Sequence, residues 1–65
     1  MISYEPLYNT MKKKGISTYK LTESYNFSRG TLDRIKHNKP ITTTTLNDLC
    51  IILDCKVEEI ITYIP

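Results

Sequence analysis

The tightest limit on how this chain can fold is its own punctuation: residues that open or stop helices recur so often that no element can run long. Gly15, after Lys12-Lys13-Lys14, offers a left-handed position just past a helix end whose dipole suits those lysines. Asn26 tolerates positive φ better than any residue except glycine. In HNKP, residues 37–40, Pro40 disfavours helix at Lys39. Ser17 and Ser28 are placed as helix N-caps, and a threonine cap reopens helix near residue 43 or 44. Between the stops, apolar residues fall at helical spacing. Tyr4, Leu7, Tyr8 and Met11 mark a first helix, with Pro6 in its first turn, and Leu21 and Tyr25 point inward from a second. Leu32 and Ile35 mark a third; Leu46, Leu49, Cys50 and Leu53 a fourth; Val57, Ile60, Ile61 and Ile64 a fifth. The expectation is an all-α fold of five short helices around one core. No sustained strand alternation competes, although the threonines at 42–45 and the isoleucines favour β-structure locally.

A chain of 65 residues predicts a single domain, residues 1–65. A domain of about 60 residues buries only about 60% of its unfolded surface. That leaves room for one small core and none for a deep substrate cleft. No nucleophile–base pair, paired inward carboxylates or Gly-rich phosphate loop can be found. Neither an enzyme nor a cofactor is expected, and no small-molecule ligand is evident. No apolar run approaches the roughly 20 residues that span a membrane. The start, MISYEPLYNT, lacks the basic and apolar regions of a signal peptide, so a cytoplasmic location is expected. Cys50 and Cys55 are five apart, a spacing that does not meet on one helical face. A structural zinc site wants four ligands and the chain has one histidine, His37, so two buried free thiols are expected and no metal.

The net charge of +2 conceals a polarity. Residues 12–39 carry eight cations against Glu23 and Asp33, a net of +6. Residues 40–65 carry Lys56 against Asp48, Asp54, Glu58 and Glu59, a net of −3, and Glu5 supplies the remainder. Such asymmetry suits a face prepared for an anion; scattered solubilising charge is the plainer reading. The polarity has a local focus in NFSRGTLDRIKHNKP, residues 26–40. Ser28 caps a helix there, Phe27 and Leu32 stand at the spacing of a hydrophobic staple, and Leu32 and Ile35 face one way. Arg29, Asp33 and Lys36 face another.

A helix, a tight turn and a second helix with a basic exposed face is the plan of a helix-turn-helix. TYKLTESYNFSRGTLDRIKHNK, residues 18–39, resembles the lambda-repressor/Cro-like helix-turn-helix family, through Leu21, Thr22, Asn26, Ser28, Leu32, Ile35 and Asn38-Lys39. TTTTLNDLCIILDCKVEEI, residues 42–60, resembles that family's fourth and fifth helices, so the likeness covers nearly the whole chain. Thr22 departs from the family's usual alanine, and Asn26 and Asn38 from its usual glycines. Both asparagines keep left-handed capacity. The resemblance implies a helix-turn-helix at about 17–37, with a recognition helix at about 28–37 in the major groove of double-stranded DNA. It also implies a transcriptional regulator, such as a repressor, that binds DNA as a homodimer.

On that reading Arg29 and Arg34 are the first candidates for bidentate contacts to guanine. A cation in the first helical turn opposes the dipole, so Arg29 is poorly explained by stability, unless Asp33 holds it at i, i+4. Asp33 could accept from cytosine N4 or merely hold Arg29, and the second is preferred. Gly30 costs about 1 kcal/mol against alanine inside a helix, which either allows close backbone approach to DNA or is simply tolerated. Thr18, Ser28 and Thr31 can reach phosphate from helix N-terminal turns, while Ser28 and Thr31 serve equally well in capping and packing. Lys36, Asn38, Lys39 and Thr44 would flank the groove as phosphate contacts, and His37 is an exposed loop residue. The surplus hydrophobes Ile51, Tyr63 and Ile64 mark the chain end as the dimer surface. The rival reading is a helical protein–protein interaction module, antitoxin-like or an anti-repressor subunit, using apolar surface around Tyr4, Tyr8 and Tyr63.

Overall fold

A computed structural model describes all 65 residues. Four α-helices run in order: α1 (Glu5–Lys14), α2 (Thr18–Ser24), α3 (Arg29–Lys36) and α4 (Thr43–Leu53). A single 3-10 turn, Val57–Glu59, follows α4. The short strands β1 (Ile2–Ser3) and β2 (Thr62–Tyr63) then pair antiparallel, Ile2 opposite Tyr63 and Ser3 opposite Thr62. The all-α class holds, but the expected fifth helix is one 3-10 turn and a strand. Apolar residues at 57, 60, 61 and 64 do have helical spacing. Val, Ile and Thr also suit a pleated surface, and pairing with the N-terminal residues decides between the two.

Each expected cap forms. Ser17 Oγ accepts from the Lys20 amide at 3.1 Å, Ser28 Oγ from the Thr31 amide at 3.2 Å, and Thr42 Oγ1 from the Thr45 amide at 3.1 Å. The helix ends share a device. After α1, α3 and α4 the residues Gly15 (φ 69°), Asn38 (φ 55°) and Asp54 (φ 49°) turn left-handed. The next amide in each case, that of Ile16, Lys39 or Cys55, donates to the carbonyl five residues back, on Met11, Arg34 or Cys50. This is the Schellman pattern, which satisfies orphan carbonyls and stops the helix abruptly. The expectation that Cys50 and Cys55 do not meet on one helical face concerns a continuous helix, and Asp54 ends this one between them, bringing their backbones within hydrogen-bond reach. Both thiols are free and only half-buried.

Leu7, Leu21, Leu49, Leu53 and Ile60 are fully enclosed, and Tyr4, Met11 and Ile35 complete the core. Phe27 and Leu32, the staple pair, are half-buried against it. Tyr8 and Tyr25 do not point inward as their spacing suggested, being 45% and 42% exposed. The fully enclosed positions of this small core are all leucine or isoleucine. Tyr4, the tyrosine that does enter it, sends its hydroxyl to the Lys39 carbonyl at 2.6 Å. Thr10, the one buried polar residue, donates to the Glu59 carbonyl at 2.6 Å, tying α1 to the 3-10 turn. No helix is long and apolar enough to cross a membrane.

Candidate nucleic-acid interface

The turn between α2 and α3 is built by Asn26, whose left-handed conformation (φ 55°) lets the Phe27 amide donate back to the Leu21 carbonyl at 3.0 Å. That bond anchors the turn to the fully buried Leu21. Ser28 then opens α3, while Leu32 and Ile35 hold its inner side against the core. Helical geometry leaves Gly30 and His37 facing most directly outward, Asp33 and Arg34 just to either side of them, and Arg29 and Lys36 beyond Asp33 on one flank. All six are exposed.

The expected residues separate into groups. Thr18, Arg29, Asp33 and Lys36 come together along an open groove between α1, α2 and α3, floored by Leu7, Met11 and Ile35. Thr31 and Arg34 lie on the opposite flank of α3, beside Pro40, Thr42 and Thr45. Asn38 and Lys39 line a third hollow with Met1, Ile2 and Thr43. Thr44 is exposed in the first turn of α4, apart from all three groups.

Two local partnerships differ from expectation. Arg29 does not pair with Asp33; its Nη2 meets Glu23 Oε1 on α2 at 3.1 Å, across the turn, with the two side chains 79% and 48% exposed. Asp33 instead stands beside the His37 ring, with Oδ1 3.4 Å from Nδ1, while Nδ1 is 2.9 Å from the Asp33 carbonyl. Arg34 Nε donates to the Pro40 carbonyl at 2.9 Å, which fixes the loop after α3 and leaves the two Nη groups outside that bond. Lys39 holds the same loop through its backbone: its amide donates to the Arg34 carbonyl at 2.7 Å and its carbonyl accepts from Tyr4.

Sequence reasoning missed Glu23 and Tyr19. Tyr19, 72% exposed, lines the groove beside Thr18 and Arg29. Its signal was available, a large aromatic off the buried face of a short polar helix. Glu23 is one of only two carboxylates within the basic stretch, but its pairing crosses a turn and no helical spacing reveals it. Thr22, where the family usually has alanine, satisfies its hydroxyl within α2 by donating to the Tyr19 carbonyl at 2.9 Å.

Gly30 has open room: a Cβ built there meets only Ser28 Oγ, at 3.6 Å, an ordinary contact. Gly30→Ala is therefore expected to stabilise the free protein by about 0.5–1 kcal/mol. Urea unfolding checks that gain. Nothing within the protein explains why the helix carries glycine here, so a simultaneous loss of DNA affinity would locate the reason outside the protein.

Comparison with known proteins bears on this geometry. The structure is similar to the crystal structure of the transcriptional regulator VanUg, with a TM-score of 0.87 and 25% sequence identity over 98% of this chain and 85% of that one. Comparison with curated protein sequences gives no match. The family model for the Cro/C1-type helix-turn-helix DNA-binding domain matches residues 7–65, nearly the full length. With a capped α2, a left-handed turn at Asn26 and an α3 whose outer face is free of packing, the chain belongs to the Cro/C1-type helix-turn-helix DNA-binding domain family.

Proposed function

We propose that this protein is a sequence-specific transcriptional regulator that lays α3 in the major groove of double-stranded DNA. The observation that carries the reading is the outer face of α3. Arg29, Gly30, Asp33 and Lys36 project from a helix whose inner side is fixed by Leu32 and Ile35, and no other element covers them. The surrounding stretch, residues 12–39, holds the net +6. Arg29 and Asp33 are the base readers, as donor to guanine and acceptor from cytosine. Lys36, Asn38, Lys39, Thr18, Ser28, Thr31 and Thr44 contact phosphate and set the register. Arg34 serves in part as a loop tie, and its Nη groups supply a further contact. One such module offers a limited interface. Two copies on half-sites about one helical turn apart supply the rest, joined through the exposed Ile51, Tyr63 and Ile64.

Salt dependence tests the reading against the rival interaction module. Fluorescence anisotropy with random-sequence duplex DNA at about 50 and 200 mM salt is expected to give a log–log slope near −4 to −5, for about five phosphates neutralised. An apolar protein-binding surface leaves the basic face solvated and gives no binding at low salt. That outcome, from protein that is helical by circular dichroism, would reject the DNA reading. The rival is weakened on one point: Tyr4, one of its three surface tyrosines, is buried with its hydroxyl bonded.

A further inference from the structure

Helices α1 and α4 end in the same backbone motif, with different chemistry at one pair of positions. After α1, the Gly15 amide donates to the Lys12 carbonyl at 3.2 Å and the Ile16 amide to the Met11 carbonyl at 2.9 Å. After α4, the Asp54 amide donates to the Ile51 carbonyl at 3.4 Å and the Cys55 amide to the Cys50 carbonyl at 3.2 Å. The motif folds the residue beyond the turn onto the one five before it, and an apolar contact usually fills that place. In α1 the pair is Met11 and Ile16. In α4 it is Cys50 and Cys55.

The hydrogen bond fixes how far apart the two cysteines can be. Bond lengths along the path from one α-carbon through the 3.2 Å contact to the other sum to about 7.4 Å, an upper bound that the bends at the carbonyl and the amide shorten. Disulfides span about 4.4–6.8 Å. Both residues pack half-buried against the core. Burial, and after it the adjacent Cys50, Glu59 and Asp54, raises the Cys55 thiol above its ordinary range, with Lys14 opposing.

We propose that Cys50 and Cys55 form a dithiol–disulfide pair at the C-cap of α4, closed by a small-molecule disulfide of the glutathione class and reopened by the corresponding thiol. A thiolate of the pair attacks one sulfur of the small disulfide and expels a small thiolate, leaving a mixed disulfide. The second cysteine loses its proton and attacks the protein-side sulfur, expelling the second small thiolate. Both protein sulfurs are oxidised and one small disulfide is reduced to two thiols. Because Cys55 is held protonated, closure accelerates as pH rises. The left-handed Asp54 brings the backbones of the two cysteines together before oxidation, so the ring closes more readily in the folded chain than in the unfolded one.

The test equilibrates the full chain with reduced and oxidised glutathione, in native buffer and in concentrated urea, followed by acid quench, alkylation and intact mass. The folded chain is expected to favour the ring at least about tenfold over the unfolded chain, equivalent to about 1.4 kcal/mol. The ring appears as a loss of two hydrogens with no alkyl adduct. Cys50→Ser and Cys55→Ser stop at the mixed disulfide, and Asp54→Gly, which keeps the left-handed turn, retains the native advantage. An equal or smaller ring constant in native buffer than in urea, with the protein folded by circular dichroism, overturns the proposal. So does accumulation of mixed disulfides on both cysteines of the folded wild type.

Discussion

Replacing Leu49 with alanine is expected to cost about 2–5 kcal/mol of folding stability. Leu49 is fully enclosed midway along α4, in a core that has only five completely buried side chains. The total stability of a domain this size is about 3–10 kcal/mol at typical per-residue values. One cavity therefore removes a large part of it. A core of eight residues, drawn from every helix and the 3-10 turn region, has little slack to collapse into the space. Urea unfolding should show a lower midpoint at an unchanged slope, or no folded baseline at all. Asn47→Ala, two residues earlier on the same helix at an exposed position, is the control and should change stability by no more than about 0.5 kcal/mol. An unchanged midpoint in Leu49→Ala would show that the packing around α4 is wrongly described.

The parts of this fold that could be read in advance are those where few residue types meet the physical requirement. A left-handed residue after a helix favours glycine or asparagine, and Gly15, Asn26 and Asn38 stand at three such turns. A short side-chain acceptor is needed before a helix, and Ser17, Ser28 and Thr42 supply it. The reading failed where the deciding contact lies far along the chain. Val57, Ile60, Ile61 and Ile64 fit a helix by spacing, yet β2 forms because Ile2 and Ser3 come to its side. Tyr25 fits an inward position by spacing, but α2 ends at Ser24, and Tyr25, its C-cap, leaves the helical register and stays exposed. In the candidate site, the exposed face of α3 was legible because Leu32 and Ile35 mark the opposite one. The partner of Arg29 was not, because Glu23 reaches it from another helix.

That pair bears on how α3 would read sequence. A cation in the first turn opposes the helix dipole, and an ion pair this exposed is screened and adds little to stability. Arg29 therefore has no sufficient reason within the free protein. Bridging α2 and α3, Glu23 holds the guanidinium beside α3, and on the proposed reading that is the side from which Arg29 would reach guanine. Arg29→Ala is expected to weaken binding to a selected operator by roughly ten- to a hundredfold, and to relax preference at one base pair. Its salt slope should stay near that of wild type, whereas Lys36→Ala should weaken all sequences alike and reduce the slope by about one. Glu23→Gln should act in opposite directions on two substrates. Removing a carboxylate beside the basic face should strengthen binding to random DNA, while releasing the guanidinium should lower the ratio of operator to random affinity. Anisotropy titrations of the three variants on both duplexes measure every term. If Arg29→Ala lowers both affinities equally and removes one unit of salt slope, Arg29 holds phosphate and the base reading passes to Asp33 and Arg34.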